Sequence, residues 1–180
     1  IVRPGERIKL GRFGVEFVHM THSIPDSAAI AIQTPLGTVF HTGDFKFDHT
    51  PIMGGPPDLM RIAELGREGV LLLFSDSTYA DTAGYTPSEK SISETLDRIM
   101  AGAEGRVIVA TFASLISRIQ QVIDAAAKSG RQVFVTGRSM MNNVKMAIEQ
   151  GYLQAPPDVL APLDRMRKLP PDRIAIVTTG

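Results

Sequence analysis

The chain has 180 residues, balances 19 Lys and Arg against 19 Asp and Glu, and contains no cysteine. The length suits one domain or two small lobes with a buried core. The neutral charge excludes a nucleic-acid coat that binds by bulk charge, although a local basic crest remains compatible with it. Without cysteine there are no disulfides, no thiolate nucleophile and no cysteine-based zinc site, so a reducing cytoplasm is the expected compartment.

Residues 6–42 read as four short strands, ERIKL, VEFVHM, AAIAIQT and TVFHT, with Pro35-Leu36-Gly37 as a hairpin turn. Such tight connections make antiparallel neighbours. From Pro56 the pattern changes to PPDLMRIAELGREG, a helix with Asp58 at its start, Leu59, Ile62 and Leu65 on one face and glycines at its end. VLLLFSD follows, a continuous apolar run of the kind that a parallel strand covered on both faces requires. Thr86-Pro87-Ser88-Glu89 has the form of a capping box and leads a helix to about Met100. RVIVAT is a strand. SLISRIQQVIDAAAKSG is an amphipathic helix with Leu115, Ile119, Val122, Ile123 and Ala126 on its apolar face and Arg118, Gln121 and Lys128 on the other. RQVFVT is a strand, RSMMNNVKMAIEQG a helix, residues 152–172 a proline-broken loop, and RIAIVTT a last strand. No apolar run approaches the about 18 residues of a membrane span, and the first ten residues lack a signal peptide's order. Ile1 in place of Met and the closing IAIVTTG lead to the expectation of a segment of a longer chain.

The alternation after Val70 specifies a parallel sheet with right-handed crossovers, so the fold class is α/β. Ligands of such sheets bind beyond the carboxyl ends of the strands. Those ends read Ser75-Asp76-Ser77-Thr78, Thr111-Phe112-Ala113-Ser114, Thr136-Gly137-Arg138-Ser139 and Thr178-Thr179-Gly180. Taken singly, Ser114 and Ser139 are ordinary helix N-caps. Four hydroxyl-bearing strand ends with Arg138 and free N–H groups at helix starts favour a phosphate site, and Phe112 offers a face for base stacking.

A second feature is the stretch from His22 to Asp48. His22 follows one strand and Asp44 follows another two strands on, in a Gly-Asp turn before Lys46. Imidazole and carboxylate both bind zinc or manganese, yet two ligands make only half a site. His19 and His22 are three apart, so strand geometry keeps them from chelating together. His49 is read as solvent-facing, and Asp26 and Asp48 as turn formers.

THSIPDS, TGDFKFD, SDST, TFAS, GRSM and TTG, in this order and spacing along essentially the whole chain, resemble the ribonuclease J family. These are metallo-β-lactamase-fold nucleases with an inserted β-CASP domain. The resemblance implies that residues 1–75 are part of a metallo-β-lactamase αββα half-sandwich and that residues 76–180 are most of a β-CASP α/β domain with a parallel sheet. It implies metal ligation by His22 and by Asp44, the latter bridging two ions, with His41 and Lys46 beside them. It places Asp76 in the first acidic motif of the β-CASP region, and Ser77, Thr78, Phe112, Ala113, Ser114, Arg138 and Ser139 along the RNA and phosphate channel. Tyr79 departs from the family's usual SDSTNA. The family's His-x-His-x-Asp-His motif is expected before Ile1 and its last ligand histidine after Gly180. The implied activity is metal-dependent RNA hydrolysis, 5′-to-3′ and internal, in mRNA decay and rRNA maturation. Two zinc ions are expected, or manganese or magnesium. The substrate is RNA with a 5′-monophosphate, and the whole protein is a homo-oligomer in the cytoplasm, with no membrane partner. The 180-residue chain alone is expected to be inactive. Alternatives are a nucleotide-binding module without chemistry and another metallo-β-lactamase-fold hydrolase. A serine nucleophile fails for want of a Gly-x-Ser-x-Gly elbow.

Overall fold

A computed structural model describes residues 1–179. Gly180, the last residue of the fourth hydroxyl-bearing strand end, lies outside the described residues. The chain divides into two compact units, one spanning Ile1–Ser88 and one from Glu89 onward. By contacts, therefore, Asp76 and the loop behind it lie with the first unit.

The first unit is a five-stranded sheet in chain order, β1 (Arg7–Leu10), β2 (Phe13–His19), β3 (Ala28–Thr34), β4 (Gly37–His41) and β5 (Val70–Phe74). The first four strands are antiparallel and β5 joins β4 in parallel. Between them lies α1 (Leu59–Glu68), started by the Asp58 carboxylate, which accepts the Arg61 N–H at 3.0 Å. Strand alternation sends Val18, Met20, Ala29, Ala31 and Phe40 into a core with Leu65 of α1. Glu16 is buried on β2 as well, and survives there because Arg61 grips it through two bonds of 2.7 and 3.0 Å. Val15, Phe17, Ile30, Ile32 and Val39, at the alternate positions, are only half-buried.

The second unit contains α2 (Lys90–Gly102), β6 (Val107–Ala110), α3 (Ile116–Lys128), β7 (Gln132–Val135), α4 (Arg138–Glu149) and β8 (Ile174–Thr178). Its sheet is parallel with β8 between β6 and β7. The helix α3 packs on β7, β8, α2 and α4 and buries Ile116, Ile119, Val122, Ile123, Ala125 and Ala126. Phe134, Met140, Ile174 and Val177 complete a sealed core. The loop before β8 holds only two short 3₁₀ turns, Leu163–Lys168 and Pro171–Arg173.

Three local expectations need correction. The apolar run Val70–Phe74 is a parallel strand, but it lies at the sheet edge and all five residues are exposed, Leu71 by 61%. A continuous apolar sequence thus marks a strand without saying what covers it. The capping box is not formed as expected: α2 begins at Lys90, four residues after Thr86, and its cap position, Glu89, makes no side-chain cap bond. Gln121 is buried rather than solvent-facing, its amide donating to the Glu89 carbonyl at 2.8 Å and to the Ser93 hydroxyl at 2.9 Å. Polar burial of this kind is paid for by hydrogen bonds that periodicity cannot foresee.

Candidate functional site

In the first unit, three loops leave the same end of the sheet, after β2, β4 and β5. Gly43 lets the second of them turn. Its φ is +61°, which strains any residue with a side chain, and a Cβ there would lie a tight 3.3 Å from the Ala28 carbonyl, so glycine suits the position. The turn is closed by the Gly43 N–H, which donates to His41 Nδ1 at 3.0 Å. His41 also stacks on Phe74 at 5.9 Å between ring centroids. His41 is therefore held by the turn, with Nδ1 already accepting a hydrogen bond.

Asp44 leaves this turn toward His22. Their closest atoms, His22 Nε2 and Asp44 Oδ2, are 3.8 Å apart. That is too long for a hydrogen bond. It is within the roughly 4 Å that two metal–ligand bonds of about 2 Å can span. The pair is thus suited to sharing a cation. Among the described residues, no group of three or more His, Asp or Glu side chains converges. The donors present fit a metal centre as two of its ligands and no more.

Two threonines that the sequence reading did not single out fix these loops. Thr21 donates its hydroxyl to the Lys46 carbonyl, accepts the Asp48 N–H at 3.3 Å, and accepts the Lys46 N–H on its own carbonyl at 2.7 Å. Thr42 donates its hydroxyl to the Gly43 carbonyl at 2.7 Å and accepts the Asp76 N–H at 3.0 Å. One hydroxyl thereby ties the loop carrying Asp44 to the loop carrying Asp76. Both threonines are buried, and the only signal available beforehand was their position next to His22 and Gly43.

Asp76 closes a turn on itself, with Oδ1 accepting the Thr78 hydroxyl at 2.6 Å and the Thr78 N–H at 2.9 Å. The Thr78 hydroxyl, then its N–H, hold the Asp76 carboxyl below the ordinary range, with smaller help from the Phe45 N–H and the charge of His22. Thr78 thus serves Asp76 directly, while Ser77 is exposed. Asp48 is a turn former, accepting the Thr50 N–H at 3.0 Å, and Asp26 has the positive φ of a turn residue. His19 is engaged elsewhere, 3.0 Å from the Gly55 carbonyl, and His49 is exposed.

In the second unit, the parallel register brings the loops after β6, β7 and β8 to one edge. Neither serine there is a helix cap. The cap positions of α3 and α4 are Leu115 and Gly137, neither with a side-chain cap bond. Ser114 and Ser139 are exposed, as are Phe112, at 80%, and Arg138. Two of the threonine hydroxyls are spent locally, Thr136 on the Val177 carbonyl and Thr178 on the Thr179 carbonyl. The loop after β6 is held by Asn143 of α4, whose amide donates to the Ala113 carbonyl at 2.9 Å. Asn143 was not singled out from the sequence either. It keeps the loop carrying Phe112 and Ser114 against the helix carrying Arg138 and Ser139.

Residues 104–180 match the family model of the ribonuclease J β-CASP domain. The chain is 49% identical to ribonuclease J of Synechocystis over 99% of its own length, and 49% identical to that of Thermus thermophilus over the same share. With ribonuclease J of Mycobacterium tuberculosis the identity is 45% over 99%. The chain belongs to the ribonuclease J family. It spans 28%, 31% and 32% of the length of these three relatives. A crystal structure of a protein of unknown function from Enterococcus faecalis has the same fold over 99% of this chain and 44% of its own, with a TM-score of 0.69 at 17% identity. Residues 104–180 of the second unit are thus β-CASP by sequence, and the α/β class expected from the strand–helix alternation is the one observed. No helix among the described residues is long and apolar enough to cross a membrane.

Proposed function

We propose that this chain works as part of a metal-dependent ribonuclease that hydrolyses RNA phosphodiester bonds. In this reading it acts both 5′-to-3′ from a 5′-monophosphate end and internally, in cytoplasmic mRNA decay and rRNA maturation, within a homo-oligomer. The observation that carries the reading is the 49% identity to ribonuclease J along 99% of the chain, with His22 and Asp44 facing each other inside the matched region.

His22 through Nε2 and Asp44 through its carboxylate would hold the metal, two zinc ions or else manganese or magnesium. When bound, such ions polarise phosphoryl oxygens and lower the pKa of the attacking water. The chain's own residues supply position and charge. Thr21 and Thr42 hold the two ligand-bearing loops, His41 braces the Asp44 turn, and Lys46 brings a cation beside it. Asp76, kept ionised by Thr78, adds a fixed negative charge near His22. In the second unit Arg138, Ser114 and Ser139 bind substrate phosphates and Phe112 stacks on a base, and in the first unit Ser77 offers a further hydroxyl to phosphate.

The test uses the chain extended to the full length of its relatives, given RNA carrying a 5′-monophosphate. Replacing Asp44 or His22 by Ala is expected to lower cleavage on the order of 100-fold or more, since ligand loss exceeds the 10–100-fold cost of losing outer partners. Cleavage within a few-fold of the unaltered protein would remove both residues from the metal centre.

A further inference from the structure

At the end of the first sheet away from His22 and Asp44, the two hairpin tips of β1–β2 and β3–β4 enclose an open concavity of about 460 Å³. Its shape has a specific cause. Lys9 on β1 lies opposite Gly14 on β2, and Gly14 lies opposite Gln33 on β3. The middle of this row therefore carries no side chain, and Gln33 leans over the gap: a Cβ on Gly14 would be 2.9 Å from Gln33 Oε1. Lys9 and Gln33 wall the hollow, Arg12 reaches it from the β1–β2 turn, and Arg7 stands two residues before Lys9 on the same face of the strand.

The charge of this hollow is unbalanced. No carboxylate lines it. Arg7 touches Glu16 at 3.2 Å, but that carboxylate is already held by both bonds from Arg61. Lys9, Arg12 and the Gln33 amide make no hydrogen bond or ion pair among the described residues. Three cations and an amide thus face one open depression, with two of the cations uncommitted. Arg7 and Lys9 are roughly 7 Å apart along the strand. That repeat is comparable with the spacing of successive phosphates on an extended single strand.

We propose that this hollow is a second nucleic-acid contact, gripping the phosphodiester backbone of a single strand without reading its bases. It is separate from the strand-end site, since roughly 17 Å of β2 lies between Gly14 and His19. No aromatic residue lines the hollow, so the contact is to phosphate alone. The choice of a nucleic acid over other polyanions rests on the ribonuclease reading.

The experiment measures binding of labelled oligouridylate and oligothymidylate to the 180-residue chain in EDTA, across a salt series. The variants are Lys9→Ala with Arg12→Ala, and separately Gln33→Glu, which adds a carboxylate to the wall. Each lost phosphate contact removes roughly 0.7 from the log–log salt slope, so the double variant should lose about 1.4 on both oligonucleotides. Affinity at low salt should drop several-fold for either variant. The altered side chains are exposed, so melting curves should superimpose on that of the unaltered chain, and the two variants check each other. Unchanged slopes and affinities in both variants overturn the proposal. So does protection by inorganic phosphate that the variants abolish while oligonucleotide slopes stay the same, which would make the hollow a small-anion site. The two readings fail separately. Loss of the ribonuclease reading leaves the oligothymidylate slope in place, whereas intact RNA cleavage with an unchanged slope removes only this contact.

Discussion

The two units use similar lengths of chain very differently. Among the described residues, six buried apolar residues lie in the first unit and eighteen in the second. The second unit closes its core around Phe134 and α3. The first seals one face of its sheet with α1, half-buries the other, and leaves β5 exposed throughout. The second unit also satisfies its buried charge completely. Arg131 donates to the carbonyls of Met100, Gly105 and Ile174 at 2.9, 2.8 and 3.3 Å, and to that of Ala103, binding the end of α2 to the starts of β6 and β8. In the first unit the buried charges are Glu16, paired with Arg61 on the helix side, and Asp48, and the loops after β2, β4 and β5 are tied by two threonine hydroxyls. The contrast separates a unit with a large closed core from one with a smaller core on a single sheet face and loops fixed by polar ties.

The largest effect that would sharpen this contrast is a core truncation. Phe134→Ala, at a fully buried site, is expected to cost about 3–5 kcal/mol. Leu72→Ala, at a β5 site that is 48% exposed, should stay within about 1 kcal/mol. Urea unfolding of the two variants measures the difference. Equal costs would mean that β5 is covered in solution.

A smaller effect is expected at Glu16. Its hydrogen bond from Arg61 outweighs the cost of burial and, with Arg7, holds the carboxyl below its ordinary value. The folded state therefore takes up the proton less readily than the unfolded chain. The stabilisation is whole above the unfolded value of about 4.5 and is lost as pH falls through the lower folded one. Glu16→Gln should cost about 1–3 kcal/mol at neutral pH, and less as the pH drops below that value. Stability curves that run parallel across this range would contradict the assignment.

The smallest change in stability belongs to the exposed leucines Leu71 and Leu73 of β5. Leu71→Lys with Leu73→Lys should alter unfolding by about 0.5 kcal/mol or less per site. The same pair should suppress self-association, because an exposed apolar edge strand invites pairing between copies. Sedimentation of the unaltered and doubly substituted chains decides it, and identical association would show that β5 is not the adhesive edge.

Much of this was legible in the sequence, for reasons that can be named. Alternation in VEFVHM and AAIAIQT gave the antiparallel strands because side chains switch faces every residue. The 3.6-residue repeat of Ile119, Val122, Ile123 and Ala126 gave α3. Asp58 announced α1, and its carboxylate does cap it. His22 and Asp44 could be paired because both follow strands that end on the same side. What periodicity could not carry was burial by polar bonding and exposure by position. Gln121 looked like a surface residue, Thr86-Pro87-Ser88-Glu89 like a capping box, and Val70–Phe74 like a covered strand. Thr21, Thr42, Asn143 and Arg131 act through backbone carbonyls and amides far away in sequence, where no local pattern marks them.

The central claim is that this chain carries two ligands of a ribonuclease metal centre and no complete centre. It is tested most directly by incubating the purified 180-residue chain with RNA and added zinc, manganese or magnesium, with and without EDTA. No cleavage above the protein-free background is the expected result. EDTA-sensitive cleavage that disappears in the His22→Ala variant would contradict the claim.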